Sequence, residues 1–154
     1  MNKTYSHLYG FVPLDKQDMD DFANRYLPIL DPRFIKLIEK QGEVLAFIIA
    51  LPHMTAGIQK SKGHLFPLGI IHILRAAKTT HQLDLMLGGV HPDMQGIGLD
   101  IMIMIPLIES AKKGGFTEME FHLMLETNKA ILNEMERLHA SLHKRFRVFQ
   151  KNLV

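Results

Sequence analysis

An apolar run ends at Val90, and the eight residues His91-Pro92-Asp93-Met94-Gln95-Gly96-Ile97-Gly98 then lead into a long apolar segment that begins at Leu99. A strand that passes through a glycine turn into a helix gathers several backbone N–H groups and the positive end of the helix dipole at one point. Such a point suits an anion, phosphate above all. The turn is not a P-loop, because no Gly-Lys-Ser/Thr follows, and it lacks the third glycine and the distal acid of a dinucleotide fingerprint. Glycines would also serve a plain tight connection between strand and helix. The Val-x-Pro before the turn and Gln95 within it favour the phosphate reading.

Proton-transfer groups are sparser. Glu126 follows an apolar stretch and could act as a base or could cap the helix that begins near Asn128. His91 abuts the glycine turn and His122 falls within a predicted strand; either could shuttle a proton near neutral pH, although a single histidine more often has a structural part. Nine histidines raise the question of a metal. Only His139 and His143 have His-x-x-x-His spacing, no acidic residue lies between them and there is no cysteine, so no metal is expected. Nor does a Gly-x-Ser-x-Gly elbow point to a hydrolase. Met86, Met94, Met102, Met104 and Met124 could line an adaptable pocket, or simply fill the core.

The elements that must position these groups follow from periodicity. Residues 1 to 14 read as an extended arm. Asp15 caps a helix to about residue 30, with Met19, Phe22, Ala23, Tyr26 and Leu27 on one face. Residues 33 to 39 and 44 to 51 flank Gln41-Gly42 as a hairpin, and the second strand, apolar on both faces, should be central. Residues 52 to 80 read as a helical insertion divided by Gly57, Gly63, Pro67 and Gly69. A strand from 82 to 90 carries Gly88-Gly89, a sign of a bulge or of close approach to the backbone. A helix from 99 to 113, a strand from 117 to 125, a helix from 128 to about 139 and a last strand from 142 to 150 complete the series. Strand, glycine turn, helix and strand make a βαβ unit within a hairpin-rich sheet, hence a mixed α/β (α+β) fold, mostly antiparallel.

At 154 residues, 47% hydrophobic and 22% charged, the chain predicts a single domain, 1 to 154. Its 18 basic and 16 acidic residues are dispersed, so no nucleic-acid partner is expected. The apolar residues 101 to 108 are too few to span a bilayer, so no membrane partner is expected either. Without cysteine or an apolar leader, a cytoplasmic location is the default.

The turn Gln95-Gly96-Ile97-Gly98-Leu99-Asp100 resembles the acyl-CoA pyrophosphate loop of GNAT-type N-acetyltransferases, and the order of elements over residues 15 to 150 is similar to that fold. The resemblance implies an acyltransferase that moves an acetyl or other acyl group from acyl-CoA to an amine, small-molecule or peptide. Gly89, Val90, Gln95, Gly96, Ile97, Gly98, Leu99 and Asp100 would hold the cofactor, and Asn128 its pantetheine arm. Glu126 and His91 would be candidate catalytic groups. The chain departs from the family pattern at Asp100, where a small residue is usual, and at Met135, where a tyrosine commonly serves as acid. The family's first strand and helix also have no counterpart. The residues 125 to 128 and 144 to 151 are similar to the C-terminal end of longer bacterial GNAT-like proteins, which implies a homodimer or docking to a missing N-terminal half-domain. These departures fit an alternative: a catalytically inactive GNAT domain that serves as a CoA-binding or protein-interaction module.

Overall fold

The computed structural model describes residues 2–6, 11–27, 30–64, 66 and 68–152. They divide between two compact units, Met1–His122 and Leu123–Val154.

In the first unit, α1 (Asn2–Tyr5) is a single turn where an extended arm was expected; Tyr9, also assigned to that arm, lies outside the described residues. Asp15 starts α2 (Lys16–Tyr26) with a reciprocal capping box: its carboxylate accepts from the Asp18 N–H at 2.8 Å, and Asp18 accepts from the Asp15 N–H at 3.2 Å. The helix is shorter than its periodicity suggested. Asp31 then caps a tight 3-10 turn at Pro32–Phe34 by accepting from the Arg33 N–H at 2.9 Å. This turn drops Phe34 into the core, fully buried and edge-on to Phe116 at 5.2 Å.

β1 (Ile35–Lys40) and β2 (Glu43–Pro52) form the expected hairpin, and β2 lies between β1 and β3 (Gln82–Val90), both antiparallel to it. β3 pairs in parallel with β4 (Glu118–Phe121), giving the sheet order β1-β2-β3-β4. The fold is thus a mixed, mostly antiparallel sheet with helices about it. No strand precedes β1 among the described residues. Between β3 and β4 runs α5 (Leu99–Lys113), whose Leu99, Ile103, Met104, Leu107 and Ala111 pack on Ala46, Ile48, Ala50 and Leu83. The alternation of β2 puts its two small alanines beneath the helix, which lets α5 approach the sheet closely.

The insertion is a pair of helices, α3 (Thr55–Ser61) and α4 (Gly69–Thr79). A side chain at Gly57 would fall 2.5 Å from the His72 carbonyl oxygen, so glycine is what allows the two backbones to touch.

In the second unit, α6 (Lys129–Arg137) is capped by Asn128, whose side-chain oxygen accepts from the Ile131 N–H at 3.4 Å; Glu126 does not take that part. The last strand expected over residues 142 to 150 is absent: residues 140 to 152 form neither helix nor strand. Alternation is only half of what a strand needs, because its backbone groups must also find a partner edge, and this segment pairs with none among the described residues.

Candidate functional site

The glycine turn is built as its residue types require. After β3, His91 accepts from the Asp93 N–H at 3.4 Å and opens a 3-10 turn at Pro92–Met94. Gly96 (φ +78°) and Gly98 (φ +87°) then take left-handed conformations that reverse the chain into α5. Gly98 is the N-cap residue, and no side chain caps this end among the described residues. The first N–H groups of α5 therefore keep their donor capacity for a ligand. A Cβ added at Gly96 or Gly98 would meet nothing within 4 Å, so the space over the turn is open. The Gln95 side chain folds back and donates to the Val90 carbonyl at 3.5 Å, and Asp100 sits in the first helical turn.

The strand that feeds this turn is open along part of its length. β3 pairs with β2 as far as Val90, yet its pairing with β4 ends at Leu85 and Phe121. Beyond that point β3 continues without β4, which ends at Phe121. The close approach anticipated at Gly88-Gly89 comes from α1: Tyr5 donates its hydroxyl to the Gly88 carbonyl at 2.6 Å, and a Cβ at Gly89 would fall 2.6 Å from Thr4 Cγ2. Burial raises the Tyr5 pKa.

A second group of side chains, none with an obvious spacing in the sequence, meets where β3 and β4 are still paired. Gln82 and Asp84 share one face of β3, and the in-register parallel pairing sets Glu120 beside Asp84. His53, just beyond β2, completes the group. Its Nδ1 lies 2.8 Å from an Asp84 carboxylate oxygen. Gln82 donates its amide to Asp84 at 2.9 Å and to Glu120 at 2.7 Å, bridging two carboxylates that would otherwise repel each other. His122 Nε2 stands 3.7 Å from Asp84.

Asp84 is 7% exposed, a buried charge satisfied on both oxygens. An Nδ1–H donated to Asp84 fixes the His53 tautomer and leaves Nε2 as the proton acceptor. The His53 nitrogen and the two carboxylates lie within 4.8 Å of one another, a donor set that could hold a divalent ion. The Gln82 amide already supplies the positive dipole that such an ion would bring.

His91 Nδ1 serves the turn, and its Nε2 is buried without a hydrogen bond, 3.8 Å from Glu43. Glu126, in the second unit, is exposed and faces Arg147 at 3.6 Å. Met135 is the buried residue of α6. The methionines do not form one lining: Met104 is in the core and Met94 packs against it, whereas Met86 and Met102 are exposed.

A mixed, mostly antiparallel sheet with an open glycine turn at the head of the helix that crosses between its parallel strands is a GNAT-like fold. Solved structures bear this out at low sequence identity. A putative acetyltransferase from Agrobacterium tumefaciens matches 95% of this chain and 88% of its own, at 15% identity and a TM-score of 0.58. The aminoglycoside acetyltransferase AAC(6')-Iy in complex with a CoA bisubstrate analogue matches 97% and 88% at 14% identity, TM-score 0.57. An acetyltransferase from Trypanosoma brucei matches 96% and 88% at 18% identity, TM-score 0.54.

No family model matches the chain. Among curated proteins it is similar to Protein YghO of Escherichia coli, 28% identical, and to a bacterial ceramide synthase of Caulobacter vibrioides, 26% identical. Each likeness takes in 99% of this chain. The chain spans about two fifths of the length of either relative, 40% and 41%.

Proposed function

We propose that this chain binds acyl-CoA at the Gln95–Asp100 turn and transfers the acyl group to an amine. The observation that carries the proposal is the open, uncapped N-terminus of α5 behind two left-handed glycines, set at the end of a strand that β4 leaves unpaired beyond Leu85. Diphosphate on the turn would let the pantetheine arm run back along β3. From Val90 to Asp84 is six residues, roughly 20 Å of strand, a length that arm can span. Gly89 and Val90 would flank it. Asn128, whose side chain caps α6, is the family's pantetheine contact by resemblance and is proposed as such here.

The thioester would then lie near the His53–Asp84 pair. The amine nitrogen attacks the thioester carbonyl carbon, and its proton passes to His53 Nε2 while Asp84 holds the ring and stabilises the imidazolium. The tetrahedral intermediate collapses with cleavage of the C–S bond, giving the amide and CoA thiolate, which is protonated by water. Holding amine and thioester side by side supplies much of the acceleration. His53 takes the base's part in place of Glu126 and His91, since a carboxylate holds its ring at hydrogen-bond distance, 2.8 Å, whereas the carboxylates beside His91 stand at 3.7 and 3.8 Å.

The names of the relatives support amide formation. A ceramide is an N-acylated amino alcohol, and the AAC(6')-Iy structure is that of an N-acetyltransferase. Calorimetric titration with acetyl-CoA and a long-chain acyl-CoA tests binding, and thiol release in the presence of sphingoid-type and sugar amines tests transfer. His53→Gln is expected to abolish release while binding is unchanged. Binding without release for every amine would instead establish the alternative, a CoA-binding module.

A further inference from the structure

From Val44 to Leu83 there is no acidic residue, although the chain's 16 acids, evenly spread, would place about four there. The same stretch contains Lys60, Lys62, Arg75 and Lys78, all in the α3–α4 hairpin or beside it. α4 also departs from the usual arrangement of a surface helix, because it carries large apolar side chains on its open face. His72, Ile73, Ala76 and Ala77 are half-buried, while Ile70, Ile71 and Leu74 are exposed and share one stripe with Arg75 and Lys78. In the connecting loop Phe66 is 81% exposed, with Leu68 exposed beside it.

Exposed apolar side chains interleaved with cations alone narrow the partner. Protein interfaces are depleted of lysine at their centres, and a water-facing helix mixes both signs of charge. Large apolar residues flanked by Lys and Arg, without acids, are the marks of a helix that lies in a lipid headgroup layer. No helix among the described residues is long and apolar enough to cross a membrane. We propose that the α3–α4 hairpin seats this protein on an anionic lipid surface, with Phe66, Leu68, Ile71 and Leu74 entering the headgroup boundary and the four cations facing lipid phosphates. This revises the expectation of no membrane partner, which rested on spanning segments alone. Because His53 and Gln82 stand at the hairpin's two roots, joined by the His53 N–H to the Gln82 carbonyl at 3.0 Å, docking would bring the buried cluster close to the lipid surface. The docking does not depend on acyl transfer.

The test is vesicle flotation of the whole chain with phosphatidylcholine vesicles, with and without phosphatidylglycerol. Binding is expected only with the anionic lipid and should fall as salt rises. Lys60→Gln/Lys62→Gln should weaken it roughly twenty- to thirtyfold, about fivefold per charge, and Phe66→Ser/Leu74→Ser should abolish it; all replaced side chains are exposed, so melting temperatures should hold. Failure to float with anionic vesicles, or equal binding by the variants, would overturn the proposal. So would light scattering that shows a dimer dissolved by Phe66→Ser/Leu74→Ser in a chain that ignores vesicles. Acyl-CoA binding in the same variants is a separate readout, and its loss or retention bears on the turn alone.

Discussion

Gly98 offers the sharpest perturbation of the proposed cofactor site. Its φ of +87° disfavours any side chain, but asparagine and aspartate tolerate that region best, and nothing lies within 4 Å of a Cβ there. Gly98→Asn and Gly98→Asp should therefore each cost about 1 kcal/mol of stability, and they should cost it equally. Their effects on ligand differ. Asparagine crowds the turn without charge, whereas aspartate adds a negative charge where diphosphate would sit.

At about 5 Å, a pair of unit charges repels by about 0.8 kcal/mol in water and about 3 kcal/mol at an effective dielectric near 20. A turn open on one side lies between these limits, so about 2 kcal/mol, roughly thirtyfold in affinity, should separate Asp from Asn. Calorimetric titration of acetyl-CoA into both variants measures the difference, and thermal melts confirm equal folding. Equal affinities for Gly98→Asp, Gly98→Asn and the parent chain would refute the assignment of the turn to phosphate. A loss shared equally by both variants would show that shape, and not charge, governs the site.

Three further outcomes are expected. The Tyr5 hydroxyl donates to Gly88, and burial holds its pKa above the ordinary 10.0, so its stabilisation is complete below pH 10 and is lost as pH rises through the higher folded-state value; urea melts should show the parent chain losing its advantage over Tyr5→Phe, about 1 kcal/mol, only in that alkaline range. Phe34→Ala removes a fully buried ring stacked edge-on with Phe116 and should cost about 3–5 kcal/mol in the same assay; a loss under 1 kcal/mol would mean the core closes over the gap. β1 is an edge strand with no outer partner among the described residues, so we expect a concentration-dependent homodimer; light scattering at one chain mass across the accessible range would contradict it.

Much of the scaffold was legible because local chemistry and tertiary pairing agree there. β3 and α5 begin and end where the apolar runs, the glycine turn and the basic last turn of Lys112 and Lys113 say they should. β2 is central because both its faces are apolar. The last strand failed because alternation over residues 142 to 150 is not matched by a backbone ladder to any described strand. The His53 cluster was missed for another reason: its members come from three separated segments and meet only through strand register. A signal did exist. Asp84 interrupts an otherwise apolar strand, and a charge at such a position demands partners; reading Gln82 and Asp84 against Glu118 and Glu120 as parallel neighbours would have found one of them.

The sheet's spatial order is also its order along the chain. Each strand finds its neighbour already in place as synthesis proceeds: the β1–β2 hairpin closes over two residues, and β3 can zip onto β2 once a first contact forms. The parallel β3–β4 pair has no such zipper, since every one of its contacts encloses the whole of α5 and must await it. The closure that sets Glu120 beside Asp84 is thus the last step of sheet assembly along the chain, so the His53 cluster is complete only when the whole sheet is.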